Sequence, residues 1–122
     1  MRLFILLAIN IVSLIVGQIL LKLGMQSLGG FSLEQLMSNP LVVFRIVFNP
    51  YIFIGMIFYV VNFLLWFDVI SKANLSYAYP FLSLSYAGVV IASALILGEP
   101  VGWQRILGVL IIAVGVYVVS QS

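Results

Sequence analysis

The sequence predicts an all-α membrane protein with four transmembrane helices and short interfacial helices between the first and the second. Three observations predict it. Hydrophobic residues make up 65% of the 122 positions and charged residues 7%, against about 45–50% and about 25% in soluble domains. Eight charged side chains cannot screen that much apolar surface in so short a chain, and lipid is the solvent that fits. Four stretches approach the roughly 20 apolar residues that a helix needs to cross the hydrocarbon core: about Leu3–Leu23, Tyr51–Ile70, Ser76–Leu97 and Trp103–Ser120. Finally, cysteine and histidine are absent. That excludes disulfide staples, Cys/His zinc sites and histidine acid–base chemistry. The expected organisation is one four-helix transmembrane domain over residues 1–122.

The first apolar run, from Leu3, is too long for a signal-peptide core, and no small-x-small cleavage site follows it. It reads as the first span. Gly29-Gly30 breaks that helix, and Ser32-x-x-Gln35 then has the spacing of a capping box. Leu33, Leu36 and Met37 form one apolar face with Glu34, Gln35 and Ser38 turned away. Asn39-Pro40 stops that turn, and Leu41–Phe48 carries one charge, Arg45. Two short helices lying at the membrane surface are expected here. A fifth span is not, because Pro40 and Arg45 leave too short an apolar run.

Asn49 and Pro50 suit the cap and first position of the second span. Lys72 and Asn74 interrupt hydrophobicity before the third, and Gly98-Glu99-Pro100 closes it, because proline cannot continue the hydrogen-bond ladder. Pro80 lies in the first turn of the third span, where it caps or gently bends the helix. Tyr51, Trp103 and Tyr117 sit near span ends, where amphipathic rings favour the interface. Arg2 and Lys72 fall on one side of the membrane, and Lys22, Arg45 and Arg105 on the other. That balance leaves orientation open, to be imposed by a partner or to be dual. A net charge of +2 is too small and scattered to suggest nucleic acid.

Polar residues inside a span are costly and are therefore candidate functional groups. At 100° per residue, Asn10, Gln18 and Lys22 fall at about 0°, 80° and 120°, a single stripe on the first helix. Gly17 beside it admits a close backbone neighbour. Lys22 either snorkels as an interfacial anchor or meets an anionic head group. On the third helix Tyr79, Ser83 and Tyr86 form a second stripe, with Ser93 nearby. Their hydroxyls suit a wet groove that binds sugar or phosphate oxygens, although Ser93 can also bond back to its own helix and Tyr77 and Tyr79 can belong to the interfacial belt. Asp68 and Glu99 close the second and third spans, and a structural salt bridge of Glu99 with Arg105 or Lys22 is the expected role. No carboxylate lies at mid-span, where a proton-coupled cation pump needs one. Asn62 is expected to bond between helices. Gly108 and Gly115 lie seven residues apart on the last helix, either as a dimer seam or, for Gly108, against a helix of the same chain. No nucleophile–base pair or metal-ligand cluster appears, so neither enzyme, metal nor cofactor is expected.

Gly17-Gln18-x-x-x-Lys22, Ala78-Tyr79-Pro80-x-x-Ser83-Leu84, Gly98-Glu99-Pro100 and the glycine-spaced last helix together carry a resemblance that covers nearly the whole chain. The sequence resembles the four-helix, EamA-like branch of the drug/metabolite transporter superfamily, and in particular its small flippase subunits. The resemblance implies a homo- or heterodimer that moves a polyprenyl-phosphate-linked monosaccharide, such as undecaprenyl phosphate–aminoarabinose, across the bacterial inner membrane. It implies Lys22 for the phosphate, with Gln18, Tyr79 and Ser83 on phosphate or sugar. The similar small multidrug exporters carry a glutamate three residues before a glycine of helix 1. Here Leu14 stands at that distance from Gly17, which speaks against proton-coupled cation export. Export of small organic cations or metabolites through Glu99 or Asp68, and a non-transporting scaffold subunit, are the alternatives.

Overall fold

A computed structural model of the chain describes residues 2–29 and 32–122. Helix α1 (Arg2–Ser27) extends four residues past its apolar run. Its last turn is held from outside: Ser27 Oγ donates to the Gly24 carbonyl at 2.7 Å and accepts from Asn49 Nδ2 at 2.8 Å. Gly29, with φ of 76°, follows the end of the helix. Gly30, the second glycine of the expected break, lies outside the described residues.

The interfacial segment forms as its residues dictate. Helix α2 (Leu33–Ser38) opens on the reciprocal capping box, in which Ser32 Oγ accepts from the Gln35 amide and Gln35 Oε1 accepts from the Ser32 amide. Helix α3 (Leu41–Phe48) follows Pro40. Leu33, Met37, Leu41 and Phe48 are exposed, as suits helices lying on lipid. Asn49 then caps α4 (Pro50–Lys72), its Oδ1 accepting from the Tyr51 and Ile52 amides at 3.0 and 3.3 Å. Proline at the first helical position sacrifices no hydrogen bond there.

The third span, Leu75–Leu97, is less regular than a capped or gently bent helix. It comprises α5 (Leu75–Phe81), α6 (Leu84–Ala92) and a π-helical turn, Ser93–Leu97. Pro80 has no amide to give the ladder, and two residues later the bonds tighten: Leu82 and Ser83 donate to the Tyr79 and Pro80 carbonyls, three residues back. Gly98, with φ of 67°, ends the span in the left-handed region, and its amide and that of Glu99 both reach back to the Ser93 carbonyl. Helix α7 (Trp103–Ser120) completes the four transmembrane helices of this multi-pass membrane protein.

Helices α1 and α4 run antiparallel in close contact. A methyl placed on Gly55 would lie 3.1 Å from Leu21 Cδ2 and 3.3 Å from the Gly17 carbonyl oxygen. Small residues let backbones approach this closely, which in lipid is the main source of helix–helix attraction. Helix α6 lies along α1 in the same direction, with Ile15 filling the space over Gly88. The buried cluster Leu7, Val69, Ala78, Phe81 and Val116 ties α1, α4, α5 and α7 together at one end of the bundle. The opposite end, where α1 carries Lys22 and the third span closes, has no such cluster among the described residues.

Candidate functional site

Two grooves open along α1, one at each level of the bundle. The first, about 200 Å³, lies at the Lys22 end of the bundle, between α1 and the third span. Gln18 and Lys22 line it from α1, four residues apart and so on one face. Val89, Ser93 and Leu97 line it from the facing helix, and Glu99 from the turn that follows. Ser93 is buried. Lys22 and Gln18 are exposed.

The expected ion pairs of Glu99 do not form. The Arg105 guanidinium instead donates to the Pro100 carbonyl at 3.2 Å, closing the loop before α7. Among the described residues the one side-chain ion pair within 4.0 Å joins Lys72 to Asp68, one turn apart at the end of α4, at 2.6 Å. Lys22 and Glu99 therefore face one groove as a cation and an anion, neither neutralised by a direct partner. A groove with a free ammonium, an amide, a buried hydroxyl and a carboxylate can hold a phosphate at one edge and a cationic group at the other.

The second groove, about 220 Å³, lies deeper, between α1, α4 and α5. Asn10 and Tyr79 line it together with Asn62, Tyr59, Trp66 and Leu14. Asn10 is only 1% exposed. It does not share the groove of Gln18 and Lys22, because a turn of about 120° from Lys22 points it into α4 instead. There its Nδ2 donates to the Asn62 carbonyl at 3.4 Å. Asn62 thus takes part in the inter-helix bond expected of it, through its backbone. Tyr79 packs edge-on against Trp66, ring centroids 5.8 Å apart.

Ser83 and Tyr86 line neither groove. The tightened turn at Leu82–Ser83 advances the chain by about 120° per residue rather than 100°, which takes them out of the stripe that begins at Tyr79. Tyr86 is left 64% exposed. Gly108 and Gly115 have nothing within 4 Å of where a side chain would begin, so their face of α7 is unused within the chain. A larger hollow, about 450 Å³, lies elsewhere, between α2 and α3, with Arg45 in its lining. Among the site residues that sequence reasoning missed are Leu97, Val89 and the aromatic pair Tyr59 and Trp66. Val89 and Leu97 carry no polar signal, and Tyr59 and Trp66 lie within an apolar run whose pattern is that of ordinary packing.

Comparison with known proteins agrees with this architecture. The EamA-like transporter family matches residues 2–121. The chain is 33% identical over 110 residues to the probable 4-amino-4-deoxy-L-arabinose-phosphoundecaprenol flippase subunit ArnF of Proteus mirabilis, covering 88% of this chain and 83% of that protein. It is 40% identical over 67 residues to the like-named ArnF of Klebsiella pneumoniae, and 41% identical over 59 residues to the corresponding subunit ArnE of that species. Each of these two matches spans about half the length of either protein, 53% of the relative in both cases. No solved structure matches the chain. Four transmembrane helices, the polar grooves along α1 and a family match from one end to the other lead to one conclusion: this chain belongs to the EamA-like transporter family.

Proposed function

We propose that this chain is a flippase subunit that moves a polyprenyl-phosphate-linked amino sugar, such as 4-amino-4-deoxy-L-arabinose-phosphoundecaprenol, across the bacterial inner membrane. The observation that carries the reading is the Lys22 groove, where an ammonium without a carboxylate partner faces Gln18, buried Ser93 and Glu99. Lys22 and Gln18 take the phosphate. Glu99, on the far side of the groove, receives the amine of the sugar. The prenyl chain stays in lipid against the apolar faces of the helices, so only the head group needs a polar route. Relatives that carry flippase-subunit names support this substrate class. The working unit is a dimer with a second small four-helix chain, identical or similar, joined through the unused glycine face of α7.

The test is translocation in liposomes, with a membrane-impermeant amine-reactive probe scoring the lipid that reaches the outer leaflet. The purified chain, alone or with its partner subunit, is expected to expose the inner pool. Lys22→Ala is expected to slow exposure by about tenfold or more, the worth of a charge-assisted hydrogen bond. A folded Lys22→Ala protein that translocates at the parent rate removes the phosphate assignment. A second reading, export of a small organic cation on Glu99, is favoured by the carboxylate's lack of a direct partner. It predicts proton release when such a cation is added, and the flippase reading predicts none.

A further inference from the structure

The second groove has an unusual floor. Asn10 and Asn62 are 1% and 8% exposed, and the single bond between them uses Asn10 Nδ2 and a backbone carbonyl. Both side-chain oxygens, Asn10 Oδ1 and Asn62 Oδ1, are left without a hydrogen-bond partner. Stranding a buried amide oxygen is as costly as losing a hydrogen bond, and within the hydrocarbon layer water is not at hand to repair it. Two such oxygens on facing helices, beside one groove, are more than helix–helix association requires, since an apolar pair would pack there without the penalty. They sit just beneath the groove surface, and the terminal torsion of asparagine is soft enough to turn each towards it.

The chemistry of the lining selects the ligand. Amide oxygens only accept, so the ligand must donate through hydroxyl or ammonium hydrogens. A phosphate offers acceptors and finds no cation among the lining residues. Tyr59, Trp66 and Tyr79 supply flat apolar faces with polar rims, suited to the C–H face of a sugar ring whose hydroxyls point at the amides. We infer that the Asn10–Asn62 groove is a second, mid-membrane station for the sugar ring of the substrate, separate from the phosphate station at Lys22. Twelve residues of α1 separate Asn10 from Lys22, about 18 Å along the helix. One sugar phosphate is far shorter than that, so the two grooves act in succession. The inference rests on the proposed function for the substrate's identity, and its test does not.

Trp66 lines this groove, and the only other tryptophan is the exposed Trp103. In a Trp103→Phe chain held in lipid nanodiscs, octyl glucopyranoside below its micellar concentration is expected to change Trp66 emission saturably. An octyl oxyethylene ether, with the same tail and a head group that almost only accepts, is expected not to. The double variant Asn10→Leu with Asn62→Leu is expected to weaken glucoside binding about tenfold, two hydrogen bonds' worth, with a melting temperature no lower than the parent's. Equal responses to glucoside and ether, or unchanged affinity in the double variant, overturn the proposal. Should the double variant not fold, Tyr79→Ala at its exposed position takes its place, and an unchanged response there overturns the proposal equally. Because the glucoside has neither phosphate nor prenyl chain, this station and the Lys22 assignment can fail independently.

Discussion

The pair α1–α4 and the last helix, α7, are all long and apolar enough to cross a membrane, yet they are built for different neighbours. In its most apolar stretch α1 has 28% of its residues buried within the chain, and α7 has 6%. Along α1 and α4 the glycines are occupied positions: Gly17 meets Tyr59, and Gly55 meets Leu21 and the Gly17 backbone. Along α7 the glycines are vacant, and Ile111, Val114 and Val118 stand exposed. The difference teaches that a small residue in a span does not itself specify a partner within the chain. What decides is whether a neighbouring backbone has already come to meet it.

That comparison breaks most visibly at Gly55. Gly55→Leu forces α1 off α4 and is expected to cost about 3 kcal/mol, towards the upper end for overpacking, read as a lowered midpoint of denaturant unfolding in micelles. Asn49→Ala comes next. It removes the cap of α4 and the tie to Ser27 together, with an expected loss of about 1–2 kcal/mol in the same assay. Lys72→Ala breaks only an exposed, one-turn ion pair and is expected to cost at most about 0.5 kcal/mol, with the effect shrinking as salt is added. Smallest for the single chain is Gly115→Leu. Unfolding of the monomer is expected to shift by less than about 0.5 kcal/mol, while the cross-linked dimer fraction falls sharply. If instead Gly115→Leu unfolds the monomer, α7 belongs with α1 and α4 and the contrast disappears.

Much of the fold was legible because its signals are local. Ser32 with Gln35, Asn49 with Pro50, and Gly98-Glu99-Pro100 each act within one turn of chain, and each end formed where its residues placed it. The site was legible only in part. Helical periodicity gives the angle between Asn10 and Lys22, but not which of the two faces α4. That is decided by Gly17 and Gly55 drawing the helices together, a fact that belongs to two segments at once. The stripe from Tyr79 to Tyr86 failed for a related reason, since an even 100° step does not survive the tightened turn after Pro80. The π-helical turn at Ser93–Leu97 had no sequence signal that we can name, although it bears two lining residues of the Lys22 groove.

The interruption at Leu82–Ser83 also has a mechanical meaning. A continuous helix is a stiff rod, and displacement at one end reaches the other. The third span is instead two short rods in series, with the α-helical ladder replaced at their joint by tighter bonds to the carbonyl three residues back. Tyr79 of the deep groove rides on the first rod, which leans on α4 and α7. Val89 of the Lys22 groove rides on the second, and Ser93 on the π-helical turn that continues it; this rod leans on α1 and α7. Because the joint falls between them, the two grooves are lined from separate rods rather than from one continuous helix.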